Sequence, residues 1–114
     1  MPLPEFIKAL AEKKFGEFCE RRVSPHIRHK VNLSYTIRGN SITIVENRVP
    51  WLAGTKWTHS PIAQCRYDDK KGTWTLYWRD RNRRWWKYEP LSPMRDIDKL
   101  LDEIDKDPTH IFWG

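Results

Sequence analysis

Between Pro4 and about Arg22 the apolar residues Phe6, Ile7, Leu10, Ala11, Phe15, Phe18 and Cys19 recur three and four positions apart. That spacing gathers side chains on one face of an α-helix, and charged residues fill the remaining surface. The helix is expected to stop at "SPHIRH", because Pro25 disfavours helical geometry at Ser24 and has no N–H to donate. From Val31 the period changes to two: Val31, Leu33, Tyr35 and Ile37 alternate with Asn32, Ser34, Thr36 and Arg38, as in a strand with one buried face. Gly39-Asn40 then signals a two-residue turn that pairs Arg38 with Ser41, Ile37 with Ile42, Thr36 with Thr43 and Tyr35 with Ile44. Apolar faces apolar and polar faces polar. The same register sets Glu46 beside Leu33 on the apolar side, where a carboxylate needs a partner.

"RVPWLAGTKWTHSP" reads as a long loop anchored by Trp51 and Trp57. "IAQCRY" and "TWTLYWR" follow as a second strand pair around the polar turn "DDKKG". Trp74, Leu76 and Trp78 are assigned to the core, with Thr73, Thr75, Tyr77 and Arg79 on the opposite face. The chain turns at "DRNRR" into a short fifth strand, "WWKY". Ser92-Pro93 supplies an N-cap and a first-turn proline for a helix with the apolar stripe Ile97, Leu100, Leu101 and Ile104, ending before Pro108. The apolar tail "HIFWG" is expected to dock on the body. The pattern therefore predicts an α+β fold over residues 1–114: an N-terminal helix, a five-stranded antiparallel meander and a C-terminal helix packed on one sheet face. The other face is left open, carrying Asn32, Ser34, Thr36, Arg38, Ser41, Thr43, Gln64, Arg66, Thr75, Tyr77 and Arg79.

Length and composition narrow this picture. A chain of 114 residues has room for one hydrophobic core, and its seven Trp, four Tyr and four Phe give that core enough surface to bury. No run approaches the ~20 apolar residues of a membrane span, and the first residues lack a signal-peptide pattern. A soluble, cytoplasmic protein is expected, with Cys19 and Cys65 as reduced, buried thiols. The net charge of +6 is uneven. Residues 92–114 hold three basic and six acidic side chains, which leaves 18 minus 9, or +9, on residues 1–91. Such a field attracts polyanions or acidic partners.

"YTIRGNSITIVENRVPW", "PIAQCRYDDKKGTWTLYWRDRNRRWWKY" and "EIDKDPTHIFWG" resemble a small bacterial group, domain-of-unknown-function family 3024. The resemblance runs from about Phe18-Cys19 to Gly114. It implies a stand-alone bacterial protein and brings no established activity or catalytic residues with it. The family pattern has Asn-Gly where this chain has Asn82-Arg83, and commonly His where it has Trp86.

The stretch "WRDRNRRWWKY", residues 78 to 88, carries five cationic side chains and four aromatic rings. Two registers are open to it. A two-residue turn at Asn82-Arg83 pairs Arg79 with Trp86 and Tyr77 with Tyr88 on the open face. A three-residue loop, Arg81-Asn82-Arg83, with a bulge instead sets Trp85 and Lys87 beside Tyr77 and Arg79 and sends Trp86 and Tyr88 toward the core. Aromatics among arginines suit single strands, because bases stack on rings while phosphates pair with cations; the competing reading is a hairpin tip kept soluble by its charge.

Other constellations have structural readings. His26 and His29, with Cys19 and Cys65, lack the paired spacing of a zinc site, and no metal or cofactor is expected. Glu46 and Arg48 could act with His26 or Arg66, but a buried ion pair explains them as well. Asp68, Asp69 and Asp80 stand where turns favour Asp. Asp102, Glu103 and Asp105 form an acidic face that meets solvent, a partner or the basic body. No nucleophile elbow, catalytic triad order or Gly-rich phosphate loop occurs.

The leading expectation is nucleic-acid binding, to single strands or RNA, with phosphate contacts from Arg38, Arg66, Arg79, Arg81, Arg83 and Arg84 and stacking on Tyr77 and on Trp85 or Trp86. Two alternatives stand beside it. One is a small nuclease using His26, Glu46 or Arg48; the other is a protein-interaction module in a phage-related or toxin-type system.

Overall fold

The computed structural model describes residues 2–50, 52 and 56–113. Helix α1 spans Glu5–Arg22, and a short 3₁₀ turn, Pro25–Ile27, leads into strands β1 (Val31–Arg38), β2 (Ser41–Arg48), β3 (Thr58–Asp68), β4 (Thr73–Arg79) and β5 (Trp85–Lys87), followed by helix α2 (Ile97–Lys106). The strands form one antiparallel sheet in the order β1-β2-β3-β4-β5. Both helices pack on the same face, giving the expected α+β architecture.

The first hairpin has the register that its alternation dictates: Arg38 opposite Ser41, Ile37 opposite Ile42, Tyr35 opposite Ile44 and Leu33 opposite Glu46. Gly39 supplies the positive φ of 60° that a two-residue turn with glycine first demands. The tip is sewn to β3, where Asn40 Nδ2 donates to the Tyr67 carbonyl at 2.8 Å and the Tyr67 N–H donates to the Asn40 carbonyl at 3.0 Å.

The core lies between this sheet and the helices. Ile42, Ile44, Ala63, Cys65, Trp74 and Leu76 meet Ala11, Phe15 and Phe18 of α1 and Ile97, Leu100, Leu101 and Ile104 of α2, all buried. Phe15 ties α1 to two separated strands of that face, with ring centroids 6.2 Å from Tyr35 of β1 and 6.5 Å from Trp74 of β4. Trp78 is only partly buried but packs against the same cluster. Lys14–Asp98 and Arg22–Asp105, at 3.1 and 3.3 Å, turn part of the acidic α2 face back toward α1; as partly exposed pairs they fix orientation more than stability.

Four local expectations change. Phe6 is 77% exposed, because at the start of α1 it is Leu3 that reaches the core. Trp57, expected as an anchor, is exposed as well, while Trp51 lies outside the described residues. β3 starts at Thr58, inside the stretch read as loop. Helix α2 is capped by Asp96, whose side chain accepts the N–H groups of Asp98 and Lys99, and not by Ser92: the backbone of Met94 is already bridged to Trp74, so the chain cannot yet turn helical.

The tail docks as expected. Asp107, at φ 43°, ends α2 and accepts the N–H groups of Phe112 and Trp113 at 3.1 and 2.9 Å. Phe112 then packs on Tyr88, with ring centroids 5.1 Å apart, while Trp113 Nε1 donates to the Ile104 carbonyl at 2.7 Å. Arg22 covers the Trp113 ring at 4.6 Å. Asp107→Ala removes two hydrogen bonds to a charged acceptor and should cost about 2–3 kcal/mol, read as a lower urea midpoint.

Both cysteines are free and buried. Burial pushes the Cys65 thiol up to about 12 and Cys19 up to about 11. Each thiol therefore stays protonated at neutral pH, where the thiolate is the reactive form. A thiol-reactive disulfide reagent should label neither at an appreciable rate in the native protein and both promptly in denaturant.

Candidate nucleic-acid interface on the open sheet face

The turn after β4 is the three-residue form. The Asp80 N–H donates to the Arg84 carbonyl and the Arg83 N–H to the Asp80 carbonyl, both at 3.0 Å, and Arg83 takes φ 66°, the left-handed residue that such loops require. The Asp80 carboxylate organises the tip. Oδ1 accepts the N–H groups of Asn82 and Arg84 at 2.8 and 2.9 Å, and Oδ2 accepts Trp86 Nε1 at 2.7 Å. These bonds, led by that from the Arg84 N–H, lower its pKa from the ordinary carboxylate value.

The β4–β5 register follows: Arg79 opposite Trp85, Trp78 opposite Trp86 and Tyr77 opposite Lys87. Trp85 thus shares the open face with Tyr77 and Arg79. Trp86 lies on the other side, 50% exposed and tied to Asp80, while Tyr88 is in the core.

On the open face each ring has its own cation. The Arg66 guanidinium sits 3.8 Å from the centre of the Tyr77 ring, and Arg79 sits 5.5 Å from that of Trp85. Arg66 Nε also donates to Gln64 Oε1 at 2.7 Å, and Gln64 Nε2 donates to Thr43 Oγ1 at 2.9 Å, a polar chain running across β2, β3 and β4. A groove of about 440 Å³ crosses the sheet, lined by Arg38, Thr43, Val45, Gln64, Arg79 and Trp85 among others, with no carboxylate in its lining. A neighbouring groove between Arg66, Tyr77 and the β3–β4 turn includes Asp68 and Asp69, although Asp68 Oδ1 is committed to the N–H groups of Lys70 and Lys71.

The remaining candidates separate. Arg83 lines a third groove with Arg79 and Asp80, whereas Arg81 and Arg84 project from the exposed tip. Glu46 and Arg48 are paired at 2.8 Å, with Arg48 largely exposed, so the buried pair of the sequence reading is a surface one. They line a small cleft of about 180 Å³ with Val31, Leu33 and Trp113. His26 is exposed on the 3₁₀ turn and does not line that cleft. Among the described residues, no three His, Cys, Asp or Glu side chains group as metal ligands would.

Residues 3–114 match a family model described as domain of unknown function (DUF3024). The chain belongs to that family. No curated protein and no solved structure matches it. Among the described residues, no helix of this DUF3024 protein is long and apolar enough to cross a membrane.

Sequence reasoning missed a polar cluster at the far end of the open face. Asn47, nearly buried, donates through Nδ2 to Asn32 Oδ1 at 2.9 Å and Ser34 Oγ at 3.0 Å, and its Oδ1 lies 2.6 Å from His59 Nδ1. Strict alternation sets His59 on the side of Ala63 and Cys65. The register slips instead: Ile44 pairs with Ala63 and Val45 with Pro61, leaving Ile62 as an extra residue. The slip carries His59 to the open face opposite Asn47. Pro61, at the end of the stretch read as loop, was the available signal of a bulge near the start of β3, since proline within a sheet is confined to edges and bulges.

Arg83 occupies a backbone conformation that glycine tolerates better. Arg83→Gly should raise the stability by about 0.5 kcal/mol, the steric relief being partly offset by a freer unfolded chain; a thermal melt measures it.

Proposed function

We propose that this protein binds single-stranded nucleic acid, RNA included, along the open face of its sheet. The observation that carries the reading is the groove containing Arg38, Arg79 and Trp85, whose lining has cations, hydroxyls, an amide and a ring but no acid. Polyanions are attracted to such a surface, and its polar side chains can follow a backbone without demanding a base sequence. The net charge of +6 adds a long-range field that speeds encounter.

The rings would be used indirectly. Tyr77 and Trp85 are each covered by a guanidinium, so a base stacks on the planar Arg66 or Arg79, with the aromatic ring behind it. Guanidinium planes serve as base platforms much as aromatic rings do, and their edges remain free to meet phosphate. The α2 carboxylates Asp98 and Asp105 already face cations of α1, which leaves the acidic helix less available to a basic partner.

Fluorescence anisotropy with labelled single-stranded RNA and DNA at two salt concentrations tests the reading, the expected result being salt-sensitive binding with quenched tryptophan emission. Replacing Arg79 and Arg81 together by Ala should weaken binding and reduce the slope of log K against log salt by about 0.7 for each phosphate that is no longer neutralised. Affinity and slope equal to those of the parent would remove both arginines from the interface. Absence of binding at low salt would remove the reading itself.

A further inference from the structure

The cluster around His59 does not end at Asn47. His59, Ser60 and Pro61 of β3 line a groove of about 450 Å³ together with Arg79, Asp80 and Arg83 from the opposite side. We propose that His59, Ser60, Arg79 and Arg83 form a phosphodiester-binding subsite at this end of the open face. The inference rests on the nucleic-acid reading and adds to it the place where one backbone phosphate is fixed.

Hydrogen bonding orients the imidazole. With Asn47 Nδ2 spent on Asn32 and Ser34, its Oδ1 is the acceptor that faces His59 Nδ1 at 2.6 Å, so Nδ1 carries the proton. Nε2 is left with no protein partner among the described residues. A neutral ring would turn a lone pair toward a phosphate oxygen; a protonated ring donates through both nitrogens, to Asn47 and to the phosphate. The Asn47 contact suits both states. Ser60 contributes a hydroxyl donor on the same groove wall.

Charge favours an anion. Arg79 and Arg83 form no ion pair among the described residues, and Arg79 is steadied by the Trp85 ring. The acid in the lining, Asp80, has both oxygens occupied by the turn and by Trp86. The groove therefore holds two cations, Arg79 and Arg83, against one anion, Asp80. On the strands behind His59 the facing groups are neutral, Asn47, Asn32 and Ser34; Glu46 and Arg48 pair with each other and line the cleft beside Leu33. Arg83 supplies a second argument. Its φ of 66° makes arginine a poor choice for the turn alone, and such outliers gather at binding sites.

Three variants separate the subsite from the groove: His59→Ala, Arg83→Gly and Arg38→Ala, with Arg95→Ala, an exposed cation elsewhere, as the control. Each is titrated against a labelled ten-residue oligothymidylate, and the parent is also titrated with inorganic phosphate while the His59 ring resonances are followed by NMR. His59→Ala and Arg83→Gly should each weaken oligonucleotide binding about tenfold, the worth of one charge-assisted hydrogen bond, and thermal melting should show both folded. Parent-like affinity in both variants, with Arg38→Ala still impaired, overturns the subsite and leaves the groove reading standing. Saturable phosphate shifts at His59 without oligonucleotide binding would support the anion subsite and overturn the groove reading. Neither response would overturn both.

Discussion

Pro61 cannot donate to a strand ladder, and the sheet absorbs it by giving β3 one extra residue, Ile62, against the Ile44–Val45 step of β2. On one side of that step Ile44 and Ala63 are buried in the core. On the other side the parity is reversed, so Val45 and Pro61 line the open-face groove and His59 meets Asn47. Without the slip, the imidazole would share the core face with Cys65. The surface chemistry of β3 thus depends on a single backbone irregularity, one that costs a local ladder bond and adds twist.

The two faces of the sheet follow different rules. The covered face closes through size and shape, with Phe15, Trp74 and Tyr67 in tilted ring contacts and both cysteines sealed among apolar neighbours. The open face is built from short polar links, Arg66 to Gln64 to Thr43, and from guanidiniums lying on rings. Those rings keep the cations in place without neutralising them, as a carboxylate partner would. Asp80 fits the same logic, because its charge is directed into the turn backbone and the Trp86 indole.

Much of the fold was legible in the sequence because local rules and burial agreed. The β1–β2 register follows from Gly39-Asn40 and from alternation alone. The stripe of α2 is buried as its spacing demands, and the family resemblance accords with the match over residues 3–114. Legibility failed where one signal had two solutions. Ser92 and Asp96 are both good caps, and only the Met94–Trp74 bridge decides between them. The "DRNRR" turn admitted two registers, and the choice depends on Arg83 accepting a left-handed backbone, which residue preference does not favour. His59 was hidden because "RVPWLAGTKWTHSP" read as loop, whereas β3 begins at Thr58 and passes through Pro61 by way of a bulge. The candidate arginines were visible by type, but which of them share a groove depends on geometry that spacing does not encode.

Every strand pairs with its neighbour in sequence, and β1 also lies against α1, the helix that precedes it across the short 3₁₀ turn. Most of the architecture can therefore assemble by closing short loops, the regime in which chains fold quickly. The packing of α1 on α2 is different, for it joins the two ends of the chain, and the docked tail reinforces it through Arg22 and Trp113. Such an interface closes the longest loop of the fold, the costliest in chain entropy, and so is expected to follow the meander. A contact that follows the folding barrier governs how slowly the native protein opens rather than how fast it forms, so the lifetime of the open sheet face would be set from the covered side.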